Sequence, residues 1–382
     1  MQIERLHADD FRNLSAVEIE PHPRFNLIEG DNGQGKTNVL ETLYLLAGLR
    51  SFRTTRLAEC VRFEAEKATI AARLVRGGVQ SDLGIELGLR RSRVWLDGKV
   101  TRRNADYLGR LTVVLFTPDD LRLPHAEPAA RRRYLDRAVF NHHPGYLDEL
   151  RRYERALSQR NALLRDHDGR GVDLALLTVF DDLVADTGAV ISERRARFVA
   201  AFSPLVAQHF GEVAAPELRA GLQLSTRVEV DHGGGIDAWR LGLKEALAAG
   251  RRRDIARRFT GSGPHLDDLV LMIQDRPARI HASQGQCRAL ILAMKIAEIR
   301  SLEVRLGEAP VLLMDDVSSE LDRHRNQALM AHLDALGGQV FLTTTDARHI
   351  ALTAPRRVFR MTDGHCALVI PQEQDSDAGI SD

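Results

Sequence analysis

The sequence predicts an α/β protein in which a mainly helical lobe is inserted into a head built around a mixed sheet. Strand patterns open the chain and return from Leu269, where strands alternate with helices as in a parallel sheet. Between about Asp119 and Arg257, long helical patterns with basic runs replace them. We therefore expect a head in two pieces, 1–118 and 258–370, a lobe of 119–257, and a disordered acidic tail of 371–382.

The composition is that of a globular protein without overall charge. The 382 residues include 53 basic and 53 acidic ones, so a nucleic-acid surface has to be a local patch. Nearly all basic residues are arginines, which a GC-rich genome explains, although arginine clusters also suit phosphate contacts. The three cysteines lack paired spacing, which predicts neither a zinc site nor disulfides and fits a reducing compartment.

The N-terminus indicates a cytoplasmic protein. Charges stand where a signal peptide needs an apolar core. No uncharged apolar run approaches the ~18 residues that a membrane span requires. We therefore expect no membrane association.

The first elements are short strands followed by one helix. Apolar patterns predict strands over Ile3–Leu6, Val17–Glu20 and Phe25–Ile28, and a helix from Thr37 to about Leu49. From Ala68 to Leu96 the residues alternate between apolar and polar, with Gly-Gly and Asp-Gly turn signals between the runs. This region is expected to form an antiparallel sheet.

The later elements divide into lobe helices and a second α/β part. Proline predicts helix breaks at Pro144 and Pro204. The expected lobe elements are helices over Arg131–Phe140, Tyr146–Leu164, Ala175–Ala201 and Ala238–Phe259 and a strand over Gly221–Val230. The expected later elements are strands beginning at Leu269, Val311 and Gln339 and helices over Ser283–Arg300 and Leu321–Leu336.

The most specific motif is a phosphate-binding loop between the third strand and the first helix. Its sequence satisfies the pattern G-x-x-x-x-G-K-[ST]. The motif lies between a predicted strand and a predicted helix, a context that a glycine loop occurring by chance is not expected to have. Glycines let backbone amides curl around phosphates, and the helix N-terminus adds positive charge. The candidate ATP ligands are Gly30, Asp31, Asn32, Gly33, Gln34, Gly35, Lys36 and Thr37, with Thr37 also a candidate Mg²⁺ ligand.

An acidic strand end supplies the partner that such a loop needs. The apolar run from Val311 ends at Asp315 and Asp316. Mg²⁺ prefers carboxylate oxygens, so Asp315 is the candidate metal-side residue. Asp316 lies where a carboxylate orients an attacking water. Buried strands often end in polar residues, but the phosphate loop elsewhere in the chain favours this assignment.

A Ser-Gln-Gly-Gln run begins the helix at Ser283, and it has two interpretations. It is a capping serine before an amphipathic helix, or it is a second anion site at a helix N-terminus. The Ser-Glu-Leu-Asp run that follows the acidic strand favours the second interpretation.

With these motifs the chain resembles the ABC-type ATPase heads of the SMC superfamily. In that superfamily a Ser-x-Gly-Gln signature of one head completes the nucleotide site of another, so ATP lies between two chains. The resemblance implies that Ser283, Gly285 and Gln286 contact the γ-phosphate held by the opposite protomer. It also implies that Asp322 belongs to a loop that crosses the dimer interface.

Further motifs narrow the resemblance to the RecF family over nearly the whole chain. They are Asp10–Asn13, Arg50–Arg53, Phe116–Asp119, Arg131–Asp136, Gln159–Asn161 and Gly263–Asp268. The resemblance implies ATP-dependent DNA binding in the repair of single-strand gaps, together with RecO and RecR, to promote loading of RecA. Roles in replication and in the SOS response are also implied.

Two departures from the ABC pattern concern hydrolysis. Asp316 stands where many heads have glutamate, and Thr345 stands where a histidine often contacts the γ-phosphate. A misplaced base and a missing phosphate interaction both raise the barrier, which predicts a slow, DNA-stimulated ATPase used as a switch. No residue is assigned to the role of the glutamine that senses Mg²⁺ in ABC-type ATPases.

Basic clusters in the lobe are candidate DNA contacts. Such contacts read phosphates rather than bases, and few aromatic residues are present to stack on single strands, so we expect the duplex side of a gap to be bound. The alternative is a solvated face paired with acids such as Glu149 and Glu154. The candidate residues are Arg131, Arg132, Arg151, Arg152 and Arg252.

Other functions for this motif set are disfavoured. The ATPase subunit of a membrane transporter has no use for a long basic helical insertion. A structural SMC protein needs sustained heptads, and a nuclease-linked head needs a further acidic cluster; neither is found in the sequence.

Overall fold

A computed structural model of the chain describes residues 1–165, 171–230, 234–316, 329–331, 333–335, 337–347, 350, 352 and 354–369. The chain divides into two compact units. The first unit holds the described parts of Met1–Leu115, Pro310–Glu320 and Met330–Asp382, and the second holds those of Phe116–Ala309 and Leu321–Leu329.

The strands are β1 (Gln2–Phe11), β2 (Leu14–Ile19), β3 (Phe25–Glu29), β4 (Lys67–Arg76), β5 (Val79–Gly88), β6 (Ser92–Leu96), β7 (Lys99–Val100), β8 (Val113–Phe116), β9 (Ala220–Ser225), β10 (Asp268–Ile273), β11 (Arg276–Pro277), β12 (Val311–Asp315), β13 (Val340–Thr344), β14 (Arg356–Thr362) and β15 (His365–Leu368).

The helices are α1 (Lys36–Gly48), α2 (Asn104–Tyr107), α3 (Pro118–Leu121), α4 (Pro128–His142), α5 (Tyr146–Arg165), α6 (Leu174–Val213), α7 (Gly235–Arg257), α8 (Ala278–His281) and α9 (Gln284–Leu306).

The first unit contains two sheets. In the described residues one has the strand order β2-β1-β4-β5-β6-β7 with antiparallel pairing throughout. The other has the order β15-β14-β3-β13-β12-β8 and is mixed, because β14, β3, β13 and β12 are parallel whereas β15 is antiparallel to β14. The inner strands β3, β12 and β13 are almost entirely buried, as expected for a sheet covered on both faces. The predicted mixed α/β sheet is confirmed.

The second unit is mainly helical, as predicted for the inserted lobe, and α6 is its central element. This helix of 40 residues contacts α5, α7, α9 and β9. The unit also contains the sheet β11-β10-β9 and continues to Ala309, beyond the predicted lobe end at 257. The physical reason is tertiary: β10 pairs with β9, and α9 contacts α6. At the other end, the unit begins at Phe116, close to the predicted boundary after 118.

The prediction that Pro204 breaks a helix was wrong, because α6 runs through it to Val213. A proline removes one backbone hydrogen bond and clashes with the preceding turn. Apolar packing on both sides compensates: Phe202 and Val206 are buried, and Phe198 stacks on Phe202 with ring centroids 4.9 Å apart. The break predicted at Pro144 is confirmed, since it separates α4 from α5.

Some predictions lie outside the described residues. They are Asp322, most of the helix expected over Leu321–Leu336, and the tail of 371–382. Within the described part of the chain, no helix is both long and apolar enough to span a membrane.

Candidate functional site

The candidate site lies at the carboxyl edge of the mixed sheet in the first unit. Because β3, β13 and β12 are adjacent and parallel, the residues that follow them meet at one edge. In open α/β sheets this edge is where ligands bind. The edge collects the phosphate loop after Glu29, the acidic end of β12 at Asp315, and Thr344 at the end of β13.

Two glycines of the phosphate loop have backbone geometry that no other residue fits. Gly30 has φ 148° and Gly35 has φ 109°. A Cβ at Gly30 would lie 2.5 Å from the Met361 carbonyl oxygen, and one at Gly35 would lie 2.7 Å from Asn13 Oδ1. The loop is therefore compact only because these positions lack side chains.

Lys36 begins α1 and directs its ammonium group into the loop. Its Nζ donates hydrogen bonds to the carbonyl oxygens of Gly30 at 2.5 Å and Asp31 at 2.9 Å. The side chain is mostly buried. A positive charge is thus held inside a loop that precedes a helix N-terminus, and both features attract phosphate.

Thr37 and Asp315 are brought together as the sequence predicts. Thr37 Oγ1 donates to Asp315 Oδ1 at 2.7 Å, although 278 positions separate the two residues. Thr343 Oγ1 donates to the same oxygen at 2.9 Å and accepts from the Asp316 amide at 2.9 Å. A hydroxyl and a carboxylate in contact at a sheet edge are the oxygen ligands that Mg²⁺ takes beside phosphates.

The backbone of Asp316 is in the left-handed region, with φ 48°. This conformation is uncommon for residues other than glycine and is concentrated at functional sites. It turns the chain immediately after Asp315. The side chains of Asp315 and Asp316 therefore do not alternate between the two faces of the sheet as they would in a continuous strand.

A hydrogen-bond chain attaches the loop to the first hairpin. Asn13 donates from Nδ2 to the Gly33 carbonyl oxygen at 3.1 Å, and Asn38 donates to Asn13 Oδ1 at 2.6 Å. Arg53 in turn donates to Asn38 Oδ1 at 2.6 Å. Asn13 and Arg53 belong to the motifs that carry the family resemblance, but the sequence alone does not reveal that Asn38 connects them.

Glu41 on α1 is a fully buried carboxylate that sequence reasoning missed. Arg12 donates to it from two nitrogens at 2.8 and 3.1 Å, and Arg53, Ser51 and the Cys60 thiol also approach it. Burial alone would lower the pKa of Arg12, but the Glu41 carboxylate raises it. Burial, together with the charge of Glu41, raises the pKa of the Cys60 thiol to about 11. Glu41 therefore fixes two arginines beside the loop.

A cavity of about 670 Å³ is lined by residues of the phosphate loop and of β14. Its charged lining includes Asp31, Asp346, Arg356 and Arg360. Arg360 pairs with Glu29 at 2.6 Å, and Arg356 donates to the Leu352 carbonyl oxygen. The cavity is therefore part of the same sheet edge.

Ser283 lies in the second unit, at the N-terminus of α9. Its Oγ accepts from the Gln286 amide at 3.2 Å, and Gln286 Oε1 accepts from the Ser283 amide at 2.9 Å. This reciprocal pair is a capping box. Ser283 therefore caps the helix, and the capping box holds Ser283, Gly285 and Gln286 at the start of a helix of 23 residues.

The lobe arginines expected to contact DNA differ in their surroundings. Arg131 is only 5% exposed and donates from two nitrogens to Asp268, both at 2.7 Å, which removes it from the set of candidate DNA contacts. Arg132 donates to the Asp267 carbonyl oxygen, and Arg151 lies 3.3 Å from Asp148. In the described residues Arg152 and Arg252 are exposed and form no ion pair.

The Gly263–Asp268 motif has a structural role within the second unit. Buried Arg195 donates to the Pro264 carbonyl oxygen at 2.5 Å and to Asp267 at 3.1 Å. His265 donates from Nε2 to the Thr260 carbonyl oxygen, so its Nδ1 accepts from Tyr153 at 2.6 Å. Burial lowers the pKa of His265, which keeps this neutral arrangement.

Comparison with known proteins identifies similar chains over nearly the full length. The model of the RecF/RecN/SMC N-terminal domain family matches residues 2–366. DNA replication and repair protein RecF of Myxococcus xanthus (strain DK1622) is 43% identical over 348 residues, which cover 91% of each chain. The protein of the same name from Anaeromyxobacter dehalogenans (strain 2CP-1) is 44% identical over 356 residues, covering 92% of this chain and 94% of that one.

A solved structure is also similar. The structure of the recombination mediator protein RecF-ATPrS in the RecFOR pathway matches with a TM-score of 0.88 and 29% identity. The match covers 96% of this chain and 98% of that chain.

Proposed function

The chain belongs to the RecF/RecN/SMC N-terminal domain family, and within it to the RecF proteins of DNA replication and repair; from this membership we propose an ATP-dependent DNA-binding switch that acts at single-strand gaps. Its fold is that of an ABC-type ATPase head with an inserted helical lobe. One observation carries the proposal: a phosphate loop in the first unit and a Ser-x-Gly-Gln helix start in the second supply two different half-sites in one chain.

The residues at the sheet edge fit ATP and Mg²⁺. Loop residues 30–37 would surround the phosphates with amides, and the Lys36 ammonium would turn from the loop carbonyls to the terminal phosphates. Thr37 and Asp315, which now share a hydrogen bond, would become the metal ligands. Bound Mg²⁺ would offset the phosphate charge.

The second half-site would come from another copy of the chain. Ser283, Gly285 and Gln286 of one protomer would contact the γ-phosphate held by the loop of its partner, and Asp322 would lie at this interface. The exposed side chain of Ser283 and its place at a helix N-terminus support this role. In a symmetric dimer each contact occurs twice, so two nucleotides would join the heads.

Hydrolysis would be slow and would release the DNA that the dimer clamps. Asp316 would orient the attacking water, but its carboxylate is one methylene shorter than that of glutamate. Thr345 offers no imidazole to the γ-phosphate. Each departure weakens a contact that stabilises the transition state. DNA bound by the closed dimer would stimulate turnover.

The DNA substrate would be duplex near a single-strand gap, held through phosphates. Arg132, Arg151, Arg152 and Arg252 remain proposed contacts in the lobe, and the two exposed ones, Arg152 and Arg252, are best placed for it. We also propose cooperation with RecO and RecR in loading RecA, and roles in replication and the SOS response. The compartment would be the cytoplasm.

Light scattering tests the dimer switch. The mass of the wild type is measured with and without ATP and Mg²⁺, and again with gapped duplex DNA. Ser283→Arg places a charged side chain at the proposed γ-phosphate contact, and Ser158→Arg, at an exposed position of α5, is the matched control.

The expected result is an ATP-dependent doubling of mass for the wild type and Ser158→Arg, which Ser283→Arg abolishes, with DNA retained only by the dimers. A wild-type mass that is the same with and without ATP would contradict the switch, and so would ATP-dependent dimers of Ser283→Arg.

A further inference from the structure

One end of the antiparallel sheet in the first unit is strongly basic. Residues 90–103 contain six basic side chains and one acidic one, in a chain whose 53 basic and 53 acidic residues balance. Five of the basic residues, Arg90, Arg91, Arg93, Arg102 and Arg103, form what we call the arginine edge.

The strand pairing brings these five arginines to the same end of the sheet. Arg90 and Arg91 lie in the turn between β5 and β6, and Arg93 pairs with Glu86 in register. β7 runs antiparallel to β6, and the Thr101 amide donates to the Val94 carbonyl oxygen at 2.8 Å. The chain therefore returns to Arg102 and Arg103 beside the start of β6.

The positive charge at this end is not balanced by ion pairs. Within the described residues Arg90, Arg91, Arg102 and Arg103 are exposed and form no salt bridge. Arg93 lies 3.9 Å from Glu86, a carboxylate that Lys67 already contacts at 2.9 Å.

The acid within the run is at the opposite end of β6. Asp97 Oδ1 accepts a hydrogen bond from the Asp82 amide at 2.8 Å, in the turn before β7. Its carboxylate therefore stabilises the turn and does not face the arginine edge.

Protection of the sheet margin does not explain the arrangement. A charged residue on an edge strand prevents pairing with other chains, and Lys99 on β7 already supplies one. A surface that serves only solubility mixes both signs of charge. Five guanidinium groups over several residues instead match a ligand with repeated negative charges.

An indole lies on the same sheet face as one of these arginines. Trp95 is two residues from Arg93 on the same strand, so both side chains project from one face. Trp95 covers Gly84, where a Cβ would lie 1.9 Å from the indole ring, and it remains partly exposed. It supplies a natural fluorescent reporter close to the arginine edge.

From this juxtaposition we infer that the arginine edge binds the phosphodiester backbone of the DNA that the dimer holds. The inference rests on the proposed function and adds a contact surface in the first unit to those expected in the lobe. Guanidinium groups donate to phosphate oxygens, and contacts to phosphate carry no base preference, so this binding is independent of sequence.

Fluorescence anisotropy with labelled gapped duplex tests the inference, using full-length protein with ATP and Mg²⁺ over a range of salt concentrations. The test variant is Arg90→Gln/Arg91→Gln/Arg102→Gln/Arg103→Gln. A second variant replaces the same four arginines with lysine and keeps the charge. The matched control removes four exposed arginines of the second unit, in Arg197→Gln/Arg219→Gln/Arg227→Gln/Arg276→Gln.

The glutamine variant at the edge is expected to bind DNA about tenfold or more weakly, with a salt slope reduced by about one for each phosphate that the variant no longer binds. The lysine variant and the control keep most of the affinity, and the ATP-dependent mass is unchanged in all of them. In Trp239→Phe, DNA changes the fluorescence of the remaining Trp95.

Wild-type affinity and salt slope in the glutamine variant would overturn the inference and leave the proposed function standing. Equal losses of affinity in that variant and in the control would also overturn it, because the effect would then be one of net charge. A wild type that does not bind DNA with ATP would overturn the proposed function as well.

Discussion

Arginines in the core of the second unit and arginines at the edge of the first carry the same charge in opposite environments. Arg160 is fully buried and donates to Asp181 at 2.7 Å, to Asp254 at 2.9 Å and to Thr260 at 2.9 Å. The exposed members of the arginine edge, by contrast, form no ion pairs among the described residues, apart from Arg93.

The difference separates arginines that hold the fold from those that are available to a ligand. A buried guanidinium has lost its water and must keep every partner, so it is unavailable to DNA. An exposed one contributes little to stability and can exchange water for phosphate. The number of arginines in a segment therefore says little about DNA binding until their partners are known.

Removal of a buried arginine should have the largest effect on stability. Arg160→Met leaves the Asp254 carboxylate buried without its cation and leaves Asp181 with Arg251 alone, which should lower the free energy of unfolding by ~3–5 kcal/mol. Urea unfolding measures the change, and Arg152→Met, on the exposed face of the same helix, is the control. A loss below ~1 kcal/mol for Arg160→Met would show that this network is not needed for the fold.

Acid should weaken a second buried network, around Asp120. Burial would raise the pKa of Asp120, but Arg137 at 2.8 Å and Lys295 at 3.1 Å outweigh it and lower the pKa to about 2. Because the unfolded value is ~3.9, ~2–3 kcal/mol of stability is present above that pH and is lost as pH falls toward 2.

The pH dependence of unfolding tests this network. Asp120→Asn should be less stable than the wild type at neutral pH, and the two should converge as pH falls toward 2. A constant difference between them over this range would contradict the lowered pKa.

Charge loss at the phosphate loop should reduce binding rather than stability. Lys36→Ala removes a charged donor to phosphate, worth ~1.5–3 kcal/mol, which corresponds to roughly 10- to 100-fold weaker ATP binding. Calorimetric titration with ATP and Mg²⁺ gives the affinity. Lys67→Ala, which removes an exposed lysine of the same unit, should bind ATP as the wild type does. Unchanged affinity in Lys36→Ala would refute the assignment of the loop.

The arginine edge should show the smallest effect on stability. The quadruple glutamine variant of Arg90, Arg91, Arg102 and Arg103 should unfold within ~0.5 kcal/mol per residue of the wild type, because exposed side chains without partners contribute little. Thermal unfolding without DNA measures it. A loss of unfolding free energy as large as that of Arg160→Met would contradict the distinction between buried arginines and those of the arginine edge.

Local patterns were sufficient to predict the phosphate loop and its contact with Asp315. The strand, glycine loop and helix around Lys36 are contiguous, and Asp315 ends an apolar run, so both signals are local. Glu41 carries no such signal, because its five donor atoms belong to Arg12, Ser51, Arg53 and Cys60, which come from three other segments of the first unit.

Whether a single arginine is buried and paired depends on residues far away in the chain. Arg131 belongs to a basic run, yet its partner Asp268 is 137 positions away. Pro204 stays helical because buried neighbours on both sides hold α6 together. Tertiary contacts decided these outcomes, and a single sequence does not display them.

The most direct test of the central claim, that two copies complete each nucleotide site, is complementation between two inactive variants. Lys36→Ala lacks the phosphate-loop lysine but keeps Ser283, whereas Ser283→Arg keeps the loop. In a mixed dimer, one site combines the intact loop of the Ser283→Arg chain with the intact Ser283 of the Lys36→Ala chain. We predict that ATP hydrolysis is lost in each variant alone and partly restored on mixing. A mixture as inactive as its components, or full activity in Ser283→Arg alone, would contradict a site shared between chains.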